Sequence, residues 1–160
     1  MENNTKIKRL ATGIVQKLRR NGFAAYFVGG CVRDVAMRKT PKDFDIVTSA
    51  RPQQIKKIFP KKTIALGEKF GTLLLVKEKI GFQISSFRGK KGNQSLSSLV
   101  DDTALRDFTI NGLVYDPVRL KIIDLVGGRE DIRKKMIRAI GGAAARFKED
   151  PLRLIRAIRL

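Results

Sequence analysis

The chain has 160 residues, with 34 lysines and arginines against 15 aspartates and glutamates, a formal net charge of +19. Such an excess fits a polyanionic partner, nucleic acid first and an anionic membrane surface second. The chain contains no histidine and one cysteine, Cys31, which excludes histidine catalysis, histidine metal sites and an internal disulfide.

The length suits one domain with at most the start of a second. No apolar run approaches the roughly 20 residues needed to span a membrane, and the opening MENNTKIKRL lacks the apolar segment of a signal peptide. The single cysteine fits a reducing compartment. A cytoplasmic protein without a membrane partner is expected.

In chain order, Thr5 to Arg20 reads as an amphipathic helix, with Ile7, Leu10, Ile14, Val15 and Leu18 on one face, stopped by Asn21-Gly22. The apolar run Ala24 to Val28 predicts a strand. It meets Gly29 and Gly30, and a short helix begins near Cys31. Two glycines let the backbone approach a phosphate, and a following helix start favours negative charge. Arg33 lies within reach of the same anion. A second extended run carries Asp43 and Asp45 on either side of Phe44. Residues two apart on a strand share a face, roughly 7 Å apart, so the carboxylates repel unless a cation sits between them. Hard oxygen ligands with room for phosphates describe a Mg²⁺ site.

Pro52 to Phe59 predicts a short helix, and Thr72 to Val76 and Phe82 to Phe87 predict strands joined through Glu78 to Gly81. Gly89 to Ser98 reads as a polar loop. Lys121 to Leu125 predicts a strand closed by Gly127-Gly128, followed by a charged helix over Arg129 to Lys135. From Ala143 the pattern is helical to the end, with Asp150-Pro151 as a cap and first-turn pair. Leu152, Ile155 and Ile158 form an apolar stripe on the last helix, beside arginines spaced three apart.

Four stretches together carry a family resemblance: VGGCVRD at 28–34, KDFDIVT at 42–48, RDFTIN at 106–111 and EDPLRLIRAIR at 149–159. The region IIDLVGGREDIRKKMIRAIG at 122–141 fits the connecting part. In this order and spacing the chain resembles the N-terminal head of a class II RNA nucleotidyltransferase, the group of tRNA CCA-adding enzymes and bacterial poly(A) polymerases. The resemblance implies an α/β (α+β) fold, a polymerase-β-type head with a mixed sheet flanked by helices. The head would cover 1–141 and the start of a helical neck 142–160. It implies that Asp43 and Asp45 hold Mg²⁺, and that Gly29, Gly30 and Arg33 contact the triphosphate. Arg106, Asp107 and Asn111 would contact sugar and phosphates, and Asp150, Arg153, Arg156 and Arg159 would recognise the base of CTP or ATP. Taken alone, RDFTIN reads as a helix start with a capping aspartate, and the last helix as a capped helix with a solvated arginine face. The implied partner is an RNA, the tRNA 3′ end.

The sequence departs from the family pattern in three places. Gln83, in FQISSFR, stands where relatives carry a glutamate as a third carboxylate; an amide can offer oxygen but no charge. Activity is therefore expected to be reduced, unless an acid such as Glu68 or Glu78 compensates. The segment from Arg88 to Asp102 is shorter than in CCA-adding relatives, which points towards CC addition or an altered nucleotide choice; Leu105 and Gly112 replace the usual arginine and alanine. The chain also reaches only into the neck, which fits an engineered fragment, a split enzyme whose second chain supplies neck, body and tail, or an unusually small natural enzyme. Two other readings stand beside CCA or CC addition: a bacterial poly(A) polymerase, and an inactive or partner-dependent nucleotide- or RNA-binding module.

Overall fold

The computed structural model describes residues 2–60, 62–67, 71–89 and 98–160. They form a seven-stranded mixed sheet with helices against one face. The strands are β1 (Ala25–Val28), β2 (Asp45–Thr48), β3 (Thr63–Gly67), β4 (Thr72–Lys77), β5 (Ile80–Ser86), β6 (Val114–Asp116) and β7 (Lys121–Ile123), in the spatial order β3-β4-β5-β2-β1-β6-β7. The β2–β5 pair is parallel and the other neighbours are antiparallel.

Helix α1 (Glu2–Arg20) explains why the core lies on one face. Its Leu10, Ala11, Ile14, Val15 and Leu18 are buried against Phe27, Ile46, Leu73, Phe82 and Ile84 of the sheet, the spacing of one apolar helical stripe. Phe27 sits near the middle, with its ring centroid 5.1 Å from that of Phe44 and 6.2 Å from that of Tyr115. Truncating so enclosed a phenylalanine to alanine typically costs about 3–5 kcal/mol. The opposite sheet face carries only a small cluster, Val28, Val47, Phe87 and Val114. That face is where polar side chains can gather.

Short helices complete the chain: α2 (Gly30–Ala36), α3 (Pro52–Ile58), α4 (Leu99–Ala104), α5 (Gly128–Arg133), α6 (Ala143–Glu149) and α7 (Leu152–Ile158), with a 3-10 turn at Thr109–Asn111. No helix among the described residues is long and apolar enough to cross a membrane.

Several elements differ from the sequence reading. Strand β2 begins at Asp45, so Asp43 precedes the strand rather than lying in it. Burial still alternates across Asp43, Phe44 and Asp45, with Phe44 buried between two more open carboxylates. The β4–β5 connection is the two-residue turn Glu78-Lys79, with φ of 51° and 64°, and Gly81 belongs to the strand. Residues 143–160 form two helices, and the last opens at Asp150-Pro151 as expected, the Asp150 carboxylate accepting from the Leu152 N–H at 3.1 Å. The expected apolar stripe is exposed on α7, Ile158 most of all at 88%. Of the predicted polar loop, residues 90–97 lie outside the described residues, as does Glu68.

Candidate active site

The antiparallel register of β1 and β2 builds the site. Val28 pairs with Asp45, so the chain leaves β1 as Gly29 beside the residue at which the acidic segment enters β2. Gly29 has φ 75°, and a β-carbon there would lie 3.6 Å from Asp45 Oδ2 and 4.0 Å from Arg106 Nη1. A side chain at this position would be both strained and in the way.

A cleft of about 600 Å³ opens here. Its lining brings together Gly29, Gly30, Arg33, Asp43, Asp45, Arg106, Asp107, Asn111, Asp150, Arg153, Arg156 and Arg159, which the sequence places in four separate stretches. Gln83 is the exception. It is exposed on β5 and does not line the cleft. Ile46 pairs with Ile84 in parallel register, so one residue earlier Gln83 runs alongside Asp45 on the same sheet face. Glu78, a candidate to replace the missing carboxylate, is instead at the hairpin tip, 3.1 Å from Lys6 Nζ, and does not line the cleft either.

Seven basic side chains line the cleft against five carboxylates, an excess suited to a polyanionic ligand. The carboxyl of Asp45 is pushed above the usual aspartate range, first by burial and then by the neighbouring charge of Asp43, with Arg106 opposing. A divalent cation between the two carboxylates would relieve that penalty. No cluster of three acidic, histidine or cysteine ligands occurs among the described residues. The donor set therefore fits a hard cation that takes its remaining ligands from phosphate or water. Beneath it Cys31 is buried, its Sγ donating to the Val28 carbonyl at 3.2 Å, and its thiol is pushed up to about 12 chiefly by burial. Such a thiol stays protonated and is no nucleophile.

The arginines are held by partners from distant segments. Arg33 donates through Nη1 to Asn111 Oδ1 at 2.8 Å and lies 3.3 Å from Asp34. Asp107 accepts from the N–H of the adjacent Phe108 at 2.8 Å and faces Arg156 Nε at 3.8 Å; the 3-10 turn at Thr109–Asn111 has no side-chain cap, so the aspartate does not play the capping part expected of it. Arg156 pairs with Asp150. Arg153 is buried and donates to the Arg146 carbonyl at 2.6 Å and to Glu149 at 2.8 Å. The Nε atoms of Arg153 and Arg156 are buried without a hydrogen-bond partner among the described residues, a state usually completed by water or a ligand. Arg146 fastens α6 to the segment before the 3-10 turn by donating to the carbonyls of Leu105 and Arg106 at 2.8 and 2.6 Å.

Sequence reasoning missed Asp34, Lys42 and Arg88 in the lining, and also Asp102. Asp102 is 1% exposed and binds both Arg88 and Arg106. Its spacing of four from Arg106, just beyond the end of α4, was a readable signal. The RDFT turn is fixed by a second buried carboxylate, Asp131, which accepts from Thr109 Oγ1 at 2.6 Å and from Arg138 at 2.9 Å.

A sequence model described as "Poly A polymerase head domain" matches residues 25–138. The CCA-adding enzyme of Geobacillus thermodenitrificans is 42% identical over 158 residues, 93% of this chain and 39% of that enzyme. The crystal structure of Bacillus stearothermophilus CCA-adding enzyme in complex with CTP superposes with a TM-score of 0.87 at 41% identity, covering 99% of this chain and 39% of that one. A tRNA nucleotidyltransferase complexed with a primer tRNA and an incoming ATP analog gives a TM-score of 0.75 at 30% identity, over 91% and 43%. The chain thus spans about two-fifths of the length of these proteins.

Proposed function

The chain belongs to the Poly A polymerase head domain family, and from that premise we propose that it is the catalytic head of an RNA 3′-end nucleotidyltransferase, adding C and/or A from CTP and ATP to tRNA 3′ ends. The observation that carries this reading is the convergence of the Asp43–Asp45 pair, the Gly29-Gly30 cradle and five predicted arginines on one cleft. The solved relatives support the ligands: one is bound to CTP, another to a primer tRNA and an ATP analog.

In this reading Asp43 and Asp45 hold Mg²⁺, which supplies charge neutralisation at the phosphates when bound. Gly29 and Gly30 let the triphosphate approach the backbone, and Arg33 and Arg106 donate to its oxygens. The RNA 3′-hydroxyl oxygen bonds the α-phosphorus as pyrophosphate leaves. Asp107 and Asn111 hold the arginine side chains and the sugar. Asp150, Arg153, Arg156 and Arg159 face the base, where an acceptor beside donors can read a Watson–Crick edge. Gln83, beside Asp45 in register, takes the third-carboxylate position without its charge. The head covers residues 1–141 and the neck begins at 142. Supporting that division, the family match ends at 138 and Gly141, with φ 86°, precedes α6.

A second reading, a poly(A) polymerase, is supported by the description of the matching family. Titration of the chain with each nucleoside triphosphate in Mg²⁺ tests the reading. CTP and ATP should bind more tightly than UTP and GTP, and the preference should vanish in Asp150→Ala. Equal binding of all four would contradict base selection here.

A further inference from the structure

Asp102 sits at the back of the cleft, 1% exposed, on α4. Its Oδ2 accepts from Arg106 Nε at 3.1 Å and Nη2 at 2.7 Å. Its Oδ1 accepts from the Arg88 N–H and from Arg88 Nε, both at 3.1 Å. One buried carboxylate thus faces two guanidinium groups from separate segments. Arg106 has spent Nε and Nη2 on this contact. Its remaining nitrogen, Nη1, lies 4.0 Å from the β-carbon position of Gly29, beside Asp45. Arg88 is likewise anchored by Nε while its side chain stays about half exposed and lines the cleft. Asp102 holds both guanidiniums by one edge and leaves Arg106 Nη1 on the cleft side, where Asp45 is its neighbouring carboxylate until a cation takes up that charge.

We propose that Asp102 is a positioning residue that aims Arg106 Nη1, together with Arg88, at the triphosphate, making Arg88 a further phosphate-binding side chain; this rests on the nucleotide reading above. A planar guanidinium gripped on one edge presents its other edge in a fixed direction, which a free side chain reaches only at a cost in rotamer entropy.

The test is displacement of bound CTP by inorganic tripolyphosphate, which reads phosphate affinity without the base. In the full chain, Asp102→Asn should weaken tripolyphosphate by about tenfold, as expected for one misplaced charge-assisted contact. In an Arg88→Met/Arg106→Met background the same substitution should change nothing further, because the groups it positions are gone. An undiminished affinity in folded Asp102→Asn, or an equal loss in both backgrounds, would overturn the inference. If Asp102→Asn does not fold, Arg106→Lys decides. Lysine keeps the charge but cannot hold Asp102 and phosphate at once, so it should bind tripolyphosphate as poorly as Arg106→Met; native affinity would overturn the proposal. If the native chain binds neither CTP nor tripolyphosphate, the nucleotide reading fails and this one with it. If the native chain binds both and the variants match it, only this inference fails.

Discussion

Arg33 and Asn111 are 78 residues apart in sequence, yet Arg33 Nη1 donates to Asn111 Oδ1 at 2.8 Å. The bond ties the helix after the glycine pair to the 3-10 turn of RDFTIN. Two stretches that look independent in the sequence are therefore joined at one wall of the cleft. Asn111→Ala should free Arg33 and raise the KM for nucleotide by about tenfold, the worth of one charge-assisted hydrogen bond. Because Asn111 is half-buried at the cleft wall, the thermal midpoint should barely change. Steady-state kinetics beside a melting curve separates the two effects.

Gly29→Ala is expected to fail for two reasons. Its φ of 75° is costly for a residue with a β-carbon, and that carbon would stand 3.6 Å from Asp45 Oδ2, where phosphate is to approach. With ψ of −142° the position lies in a region open essentially to glycine alone, and the backbone term is about 1–3 kcal/mol of stability. The larger effect should be on triphosphate binding, measured by calorimetric titration with CTP and Mg²⁺.

The raised Asp45 carboxyl gives a pH prediction whose sign is fixed by linkage. Burial and Asp43 make the folded state hold this proton to higher pH than the unfolded chain does. Metal-free stability should therefore fall as pH rises from the ordinary aspartate value through the raised one. Mg²⁺ should reverse that loss above this window and do little below it. Asp45→Asn should flatten the pH dependence, stabilise the metal-free chain at neutral pH and abolish the Mg²⁺ effect. Its nucleotide transfer should drop by roughly 10³-fold or more, since metal-borne charge stabilisation is worth several kcal/mol. Thermal melts across pH, with and without Mg²⁺, check the stability terms.

Gln83→Glu places a carboxylate alongside Asp45 in the parallel register set by Ile46 and Ile84. Divalent-cation affinity should rise about tenfold, since one more anionic oxygen faces the same cation, and turnover should increase. Without metal, a third negative charge should lower stability. A Gln83→Glu variant no faster than the native chain would remove Gln83 from the site.

Much of this was legible from the sequence, and for identifiable reasons. Apolar periodicity marked α1, whose buried residues recur at 3.6 positions, and a continuous apolar run marked β4. The cleft residues were readable because glycines, paired aspartates and spaced arginines have few other uses in combination. Strand β6 was missed because VYD is three residues long, and β3 because TIALG lies at a sheet edge with Ile64 exposed. The Glu78-Lys79 turn was misplaced because glycine, the usual occupant of positive φ, stands two residues later. Helix α4 was overlooked because LVDDTA buries an aspartate and a threonine where a core residue would be sought. Asp102 and Asp131 act through other side chains; the Asp102–Arg106 spacing was a local cue, whereas the Asp102–Arg88 and Asp131–Thr109 contacts join residues 14 and 22 apart and appear only in the fold.

The central claim is that the Asp43–Asp45 cleft transfers nucleotides to RNA. It is tested most directly by incubating the chain with tRNA lacking its 3′ end, Mg²⁺ and each labelled nucleoside triphosphate separately, beside Asp43→Ala and Asp45→Ala controls. The account predicts incorporation of C that both controls abolish, and A following C would mark CCA addition. Long tails from ATP alone would shift the assignment to poly(A) synthesis. Incorporation that survives both aspartate substitutions, or none even with a body-containing partner chain and Gln83→Glu, would contradict it.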